Sequence, residues 1–125
     1  MNLNDAIETL QTLCRNGDAQ AVYEEMFAQE AAVSGEGAAG ITVGCDLVSA
    51  LTEMLQVTPY LSIRAVRTTK LGDDSAVTWL EWSSPPAEGE PGEAIKFRSL
   101  TAWRKRGEAW VIAADMYGLG AFDEA

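Results

Sequence analysis

The chain has 125 residues, 47% of them apolar, and a net charge of −10. That is the size of one domain, 1–125, able to bury a substantial core, and its acidity argues against nucleic acid and anionic membranes as partners. It has no histidine, which excludes His-based triads, His metal sites and a histidine pH switch.

No run approaches the ~18 apolar residues that suggest a membrane span. The opening residues lack the basic and apolar regions of a signal peptide, so residence in the cytoplasm is expected. The two cysteines, Cys14 and Cys45, do not make a disulfide framework and read as free thiols. Charge is uneven: residues 1–60 hold nine acids against Arg15 alone, whereas the second half is nearly balanced.

Leu3, Ile7, Leu10 and Cys14 recur at helical spacing and predict a first helix over about 4–15. Asn16-Gly17 closes it as a left-handed cap, and Asp18 is a natural N-cap for a second helix over about 19–28. A short extended piece at 31–34 and a glycine-rich loop at 35–40 follow. Leu47, Val48, Leu51, Met54 and Leu55 mark a third helix, starting at 42–45 and ending near Gln56, with Pro59 beyond its end.

From Tyr60 the period changes from 3.6 to 2. Four long antiparallel strands are expected: one from about residue 61, then 76–83, 94–104 and 109–117. A hairpin turn lies at 71–74, and a Pro/Gly/Glu loop at 84–93 is expected as a hairpin tip. The fold class is therefore α+β, with three helices packed on a strongly curved antiparallel sheet that encloses one pocket.

Three segments carry a family resemblance: Asn16-Gly-Asp-Ala-Gln-Ala-Val-Tyr-Glu-Glu-Met-Phe-Ala-Gln-Glu-Ala-Ala-Val33, Gly44-Cys-Asp-Leu-Val-Ser-Ala-Leu51 and Ser99-Leu-Thr-Ala-Trp-Arg-Lys-Arg-Gly-Glu-Ala-Trp-Val-Ile112. Over about residues 3–118 the chain resembles the nuclear transport factor 2-like superfamily, the cystatin-like cone. This superfamily includes ketosteroid isomerases, SnoaL-like cyclases and the association domain of calcium/calmodulin-dependent kinase. The isomerases' base falls here at Ser34-Gly35 beside Glu36, their oxyanion Tyr near Leu10, and their protonated Asp at Ser99. All three positions depart from the isomerase pattern, while the pocket that hosts that chemistry is retained.

The resemblance turns Phe97, Ser99 and Thr101 inward on one strand. It also turns Ala113, Asp115 and Tyr117 inward on the last, and Val77, Trp79 and Glu81 on an earlier one. Leu51, Leu55 and Phe27 close the pocket. Asp115 and Glu81 are thereby the candidate acid–base pair, because a carboxylate in an apolar cavity loses hydration and its pKa rises. The alternative is ion pairing with Arg64, Arg67, Lys96 or Arg98, and a bulge would change which way Asp115 points. Trp79 is expected as a ligand-stacking wall, Trp82 as outer-face packing, and Tyr117 as a hydrogen-bonding or capping group at the rim. Trp103 and Trp110 pack across a hairpin whose tip, Arg104-Lys105-Arg106, reads as a solvated turn or an anion site.

The implied ligand is a small, apolar to amphipathic molecule, handled by isomerase, dehydratase, cyclase or hydrolase chemistry without metal or organic cofactor. The competing class is a non-catalytic interaction module. In that reading a homodimer forms through the outer sheet face at Arg64, Leu80, Trp82, Leu100 and Ala102.

Overall fold

The computed structural model describes residues 2–85 and 92–122; the expected Pro/Gly/Glu hairpin tip falls mainly outside them. Helix α1 spans Leu3–Asn16 and α2 spans Ala19–Met26. Asn2 and Asp5 form a reciprocal capping box on α1, Gly17 ends it at φ 76°, and the Asp18 carboxylate accepts from the Ala21 N–H. The caps at Gly17 and Asp18 are those the sequence predicts, and the capping box at Asn2 is an addition to them. The apolar stripe of α1, Ala6, Ile7, Leu10 and Cys14, is buried against the sheet.

Helix α2 stops two residues earlier than its pattern suggests. Phe27 takes φ −116° and ψ 143° and opens strand β1, Phe27–Gly35. Strand β2 is only Thr42–Val43. A single 3-10 turn, Gly44–Asp46, then leads into α3, Leu47–Val57. The four long strands follow: β3 Ser62–Gly72, β4 Ser75–Ser84, β5 Ile95–Arg106 and β6 Ala109–Leu119.

The sheet has six strands, in the order β2-β1-β6-β5-β4-β3. It is mixed and not purely antiparallel, because β1 runs parallel to β6, from Phe27↔Ile112 to Gly35↔Tyr117. Two other interruptions bend it. Val66 is an extra residue of β3 between the pairs Ala65↔Leu80 and Arg67↔Trp79. On β6 the partner of Ala102 is Ala114 while that of Trp103 is Ile112, so Ala113 is an extra residue. Such bulges raise local twist and curl the sheet.

The concave face carries three helices and the core. Arg15 fastens α1 to β3 by donating to the Leu61 carbonyl (2.7 Å) and the Ser62 hydroxyl (2.8 Å). Trp103, 1% exposed, donates its indole N–H to Thr78 at 2.8 Å. The basic tip between β5 and β6 is built into the fold. Arg106 donates to the Glu24 carbonyl at the end of α2 (3.0 Å) and to that of Phe27 (3.3 Å). Arg104 pairs with Glu30, and Lys105 lies over the Trp110 ring at 5.4 Å. These contacts engage all three bases with the chain's own groups.

Candidate functional site

Between the concave face and the helices lies a cavity of about 290 Å³. Leu10 and Cys14 of α1, Val22 of α2 and Phe27 form part of its wall, with Leu47, Leu51 and Met54 of α3. The sheet supplies Trp82, Phe97, Ile112, Asp115 and Tyr117. Val57, Ile95 and Leu119, also in the wall, are 61%, 45% and 66% exposed. They form an apolar mouth between the end of α3 and the open ends of β5 and β6.

Strand register decides which side chains face inward. Cross-strand rows on the concave face run Ala76↔Trp103↔Ile112, Thr78↔Thr101↔Asp115, Leu80↔Ser99↔Tyr117 and Trp82↔Phe97↔Leu119. Ile112 and Asp115 both point inward although they are three positions apart, an odd step, because the bulge at Ala113 absorbs one step of the alternation. The structure thus places Phe97, Asp115, Tyr117, Leu51 and Phe27 on the cavity, with Ser99 and Thr101 in the layer behind Asp115.

Trp79 and Glu81 are not there. On β4, Ala76, Thr78, Leu80, Trp82 and Ser84 are buried, while Val77, Trp79, Glu81 and Ser83 face outward. Glu81 accepts from Arg64 at 2.5 Å and from the Phe122 N–H at 3.0 Å. The Arg64 guanidinium holds its pKa below the usual carboxylate value. The ion-pair alternative is what the structure shows for Glu81. The Trp79 ring lies 6.0 Å from the Arg67 guanidinium, whereas Trp82 is the inward tryptophan, stacked on Phe97 at 5.2 Å and 15°. Leu80 is also inward and fully buried, so neither it nor Trp82 belongs to the outer face. The sequence held one clue: a carboxylate at Glu81 on the same face as Trp79 suits the solvent side.

The cavity wall is almost wholly apolar. Among the described residues its titratable members are Asp115, Tyr117 and Cys14, and none is basic. Burial pushes the Cys14 thiol up to about 12, so it stays protonated and inert. We expect a charged thiol reagent such as Ellman's reagent to modify exposed Cys45 quickly and Cys14 only after unfolding; comparable native rates would contradict this placement. Burial raises the Asp115 carboxyl to about 7, against the opposing hydrogen bonds of Thr101 and Ser99. Thr101 Oγ1 donates to Asp115 Oδ2 at 2.6 Å, and Ser99 Oγ lies 3.0 Å from Thr101 Oγ1. Trp82 Nε1 donates to Ser99 Oγ at 2.8 Å.

The positions that match the isomerases do other work. Leu10 is cavity wall and Ser99 belongs to this hydroxyl array. Ser34 bonds the Gly40 carbonyl at 2.8 Å. Glu36 is exposed, and its carboxylate accepts from the Leu119 N–H at 3.3 Å. Among the described residues no group of three His, Cys, Asp or Glu side chains is placed to hold a metal, and no helix is long and apolar enough to cross a membrane.

No family model matches the sequence, and no curated protein matches it. Solved structures do. A ketosteroid isomerase-like protein from Erwinia carotovora superposes with a TM-score of 0.76 at 14% identity, over 95% of this chain and 94% of that one. A cystatin-like-fold protein of unknown function from Nostoc punctiforme gives 0.73 at 16% identity, covering 94% and 88%. SalBIII, an epoxide hydrolase/cyclase-like enzyme of salinomycin pyran-ring formation, gives 0.64 at 15% identity, covering 94% and 89%. The chain has the cone fold of the nuclear transport factor 2-like and cystatin-like proteins.

Proposed function

We propose that the cavity binds a small, mainly apolar molecule with one polar group, and that Asp115 exchanges a proton with it. The observation that carries this reading is that, among the described residues, one carboxyl group stands in a mainly apolar wall, where burial raises its pKa to about 7. Near neutral pH both its forms are populated. The ionised form accepts a proton from a carbon or hydroxyl, and the neutral form returns it elsewhere on the same molecule. Isomerisation, dehydration, cyclisation and hydrolytic ring opening all need that step, and the solved relatives with isomerase-like and cyclase-like names share the scaffold. Tyr117, on the same wall, supplies a hydroxyl with no hydrogen-bond partner among the described residues.

The test uses 2-naphthol, a neutral fluorescent probe with one hydroxyl group. Wild-type protein binds it, and Asp115→Ala weakens binding about tenfold, the worth of one buried hydrogen bond. Equal affinity for the two proteins sinks the assignment of Asp115. Native mass spectrometry of the purified protein is the companion measurement, because a retained adduct begins to identify the natural ligand.

A second reading, compatible with the first, is homodimerisation through the outer face. It is favoured by the row Trp79↔Leu100↔Met116, in which Leu100 is 46% and Met116 63% exposed, beside Val77↔Ala102↔Ala114. Ion pairs and arginines at its margin, Arg64–Glu81, Arg67 and Arg98, suit a polar rim around an apolar centre. A second copy presents the same pattern, as an isologous contact requires. Leu100→Glu is expected to convert dimers to monomers in analytical ultracentrifugation, with cavity binding intact. An undisturbed dimer assigns the interface to another face.

A further inference from the structure

Behind the cavity wall the polar side chains Trp82, Ser99, Thr101 and Asp115 form one unbroken diagonal across β4, β5 and β6. Ser99 and Thr101 are 2% and 0% exposed, and Trp82 is 6% exposed. An indole N–H donates and cannot accept. Ser99 Oγ therefore accepts from Trp82 and has one proton of its own to pass on. Passed to Thr101, it leaves Thr101 free to donate to Asp115 Oδ2, and every donor in the series then meets an acceptor. With the hydroxyls reversed, Thr101 would give its proton to Ser99 and have none left for the 2.6 Å contact with ionised Asp115.

We infer that Trp82 and Ser99 are positioning residues that orient this series so that its hydroxyls donate toward ionised Asp115 and favour the carboxylate. This rests on the proposed acid–base role of Asp115 and adds to it the residues that set its proton affinity. Chains of hydrogen bonds polarise one another, so the effect of the Trp82 N–H reaches Asp115 through two hydroxyls that touch no ligand. Trp82 also lines the cavity, stacked on Phe97, so one side chain both shapes the ligand space and orients the acid. Among the described residues the other titratable groups on the cavity are Tyr117 and Cys14. With the Cys14 thiol raised to about 12, it does not complicate a titration near neutrality.

The experiment follows the carboxyl carbon of Asp115 by NMR through a pH titration, without ligand. Trp82→Phe keeps a ring against Phe97 and removes the N–H. It is expected to raise the Asp115 pKa by about half to one pH unit, since the series favours the carboxylate. Ser99→Ala, a small change that guards against misfolding of the first variant, is expected to raise it at least as much. In the double variant Trp82→Phe adds nothing further, because the series is already cut. That non-additivity separates a series from two independent packing effects. A titration unmoved by Trp82→Phe, or shifts that simply add, overturns the inference. An Asp115 that titrates like a solvated aspartate in the wild type overturns the proposed function itself, so the two failures are distinguishable.

Discussion

Asp115→Asn is expected to make the protein more stable at pH 8 and to change its stability little at pH 4. Burial lifts the carboxyl from an ordinary value of 3.8 to about 7 in the folded chain. Below the unfolded value the group is neutral in both states and contributes nothing unfavourable. As pH rises from about 4 to 7, the unfolded chain releases its proton while the folded chain holds on, and stability falls; above 7 the deficit is constant. Asparagine carries no charge, so the gap in unfolding free energy between variant and wild type opens across that window, to about 2–4 kcal/mol at its widest. Urea denaturation of both proteins at several pH values measures it. A gap that is the same at pH 4 and pH 8 refutes the raised pKa. The variant is expected to retain 2-naphthol but to lose any proton-transfer activity, a stability–activity trade-off typical of groups kept for chemistry.

The other large effect is expected at Gly35, where β1 ends beside Tyr117. A Cβ added there would stand 2.5 Å from Tyr117 Cγ and 2.5 Å from the Tyr117 carbonyl oxygen. The first clash is with a ring, the second with backbone, so side-chain rotation alone does not relieve both. Gly35 pairs directly with Tyr117 in the parallel ladder, and the Glu36 N–H bonds the same carbonyl at 3.0 Å. Gly35→Ala is therefore expected to cost about 1–3 kcal/mol by overpacking, to displace the Tyr117 ring and to weaken probe binding. Adding Tyr117→Ala should restore part of the stability, because it removes the ring and leaves the carbonyl. Wild-type stability in Gly35→Ala would show that the strands part easily at that point.

The local signals in the sequence translated well into structure. The αL cap at Gly17, the N-cap at Asp18, the stripe of α1 and the period-2 strands of the second half are all written within a few residues of one another. Less legible was whatever depended on distant partners. Phe27 and Ala28 continue the apolar helical pattern of α2 and yet belong to β1, because pairing with β6, more than eighty residues away, outweighs propensity. That same pairing makes the sheet mixed. The inward placing of Phe97, Asp115 and Tyr117 agrees with the family resemblance, but the inward face of β4 did not follow from it. Trp79 and Trp82 stand on opposite faces of one strand, and a one-step error in parity exchanges them. The hydroxyls of Ser99 and Thr101 became meaningful only with three dimensions, since the donor that orients them lies on β4.

An apolar hollow inside a small domain also bears on how the chain holds itself together. Atoms around a void lack neighbours on one side and forgo dispersion energy, on the order of several kcal/mol for a space of about 290 Å³. A guest that fills it restores those contacts, so the ligand proposed above would act as a missing piece of the hydrophobic core. Binding and folding are then linked by mass action, and the melting temperature becomes a reporter of occupancy. On the proposed reading, the thermal stability of the chain rises with the supply of that small molecule, and a sample stripped of it melts at a lower temperature.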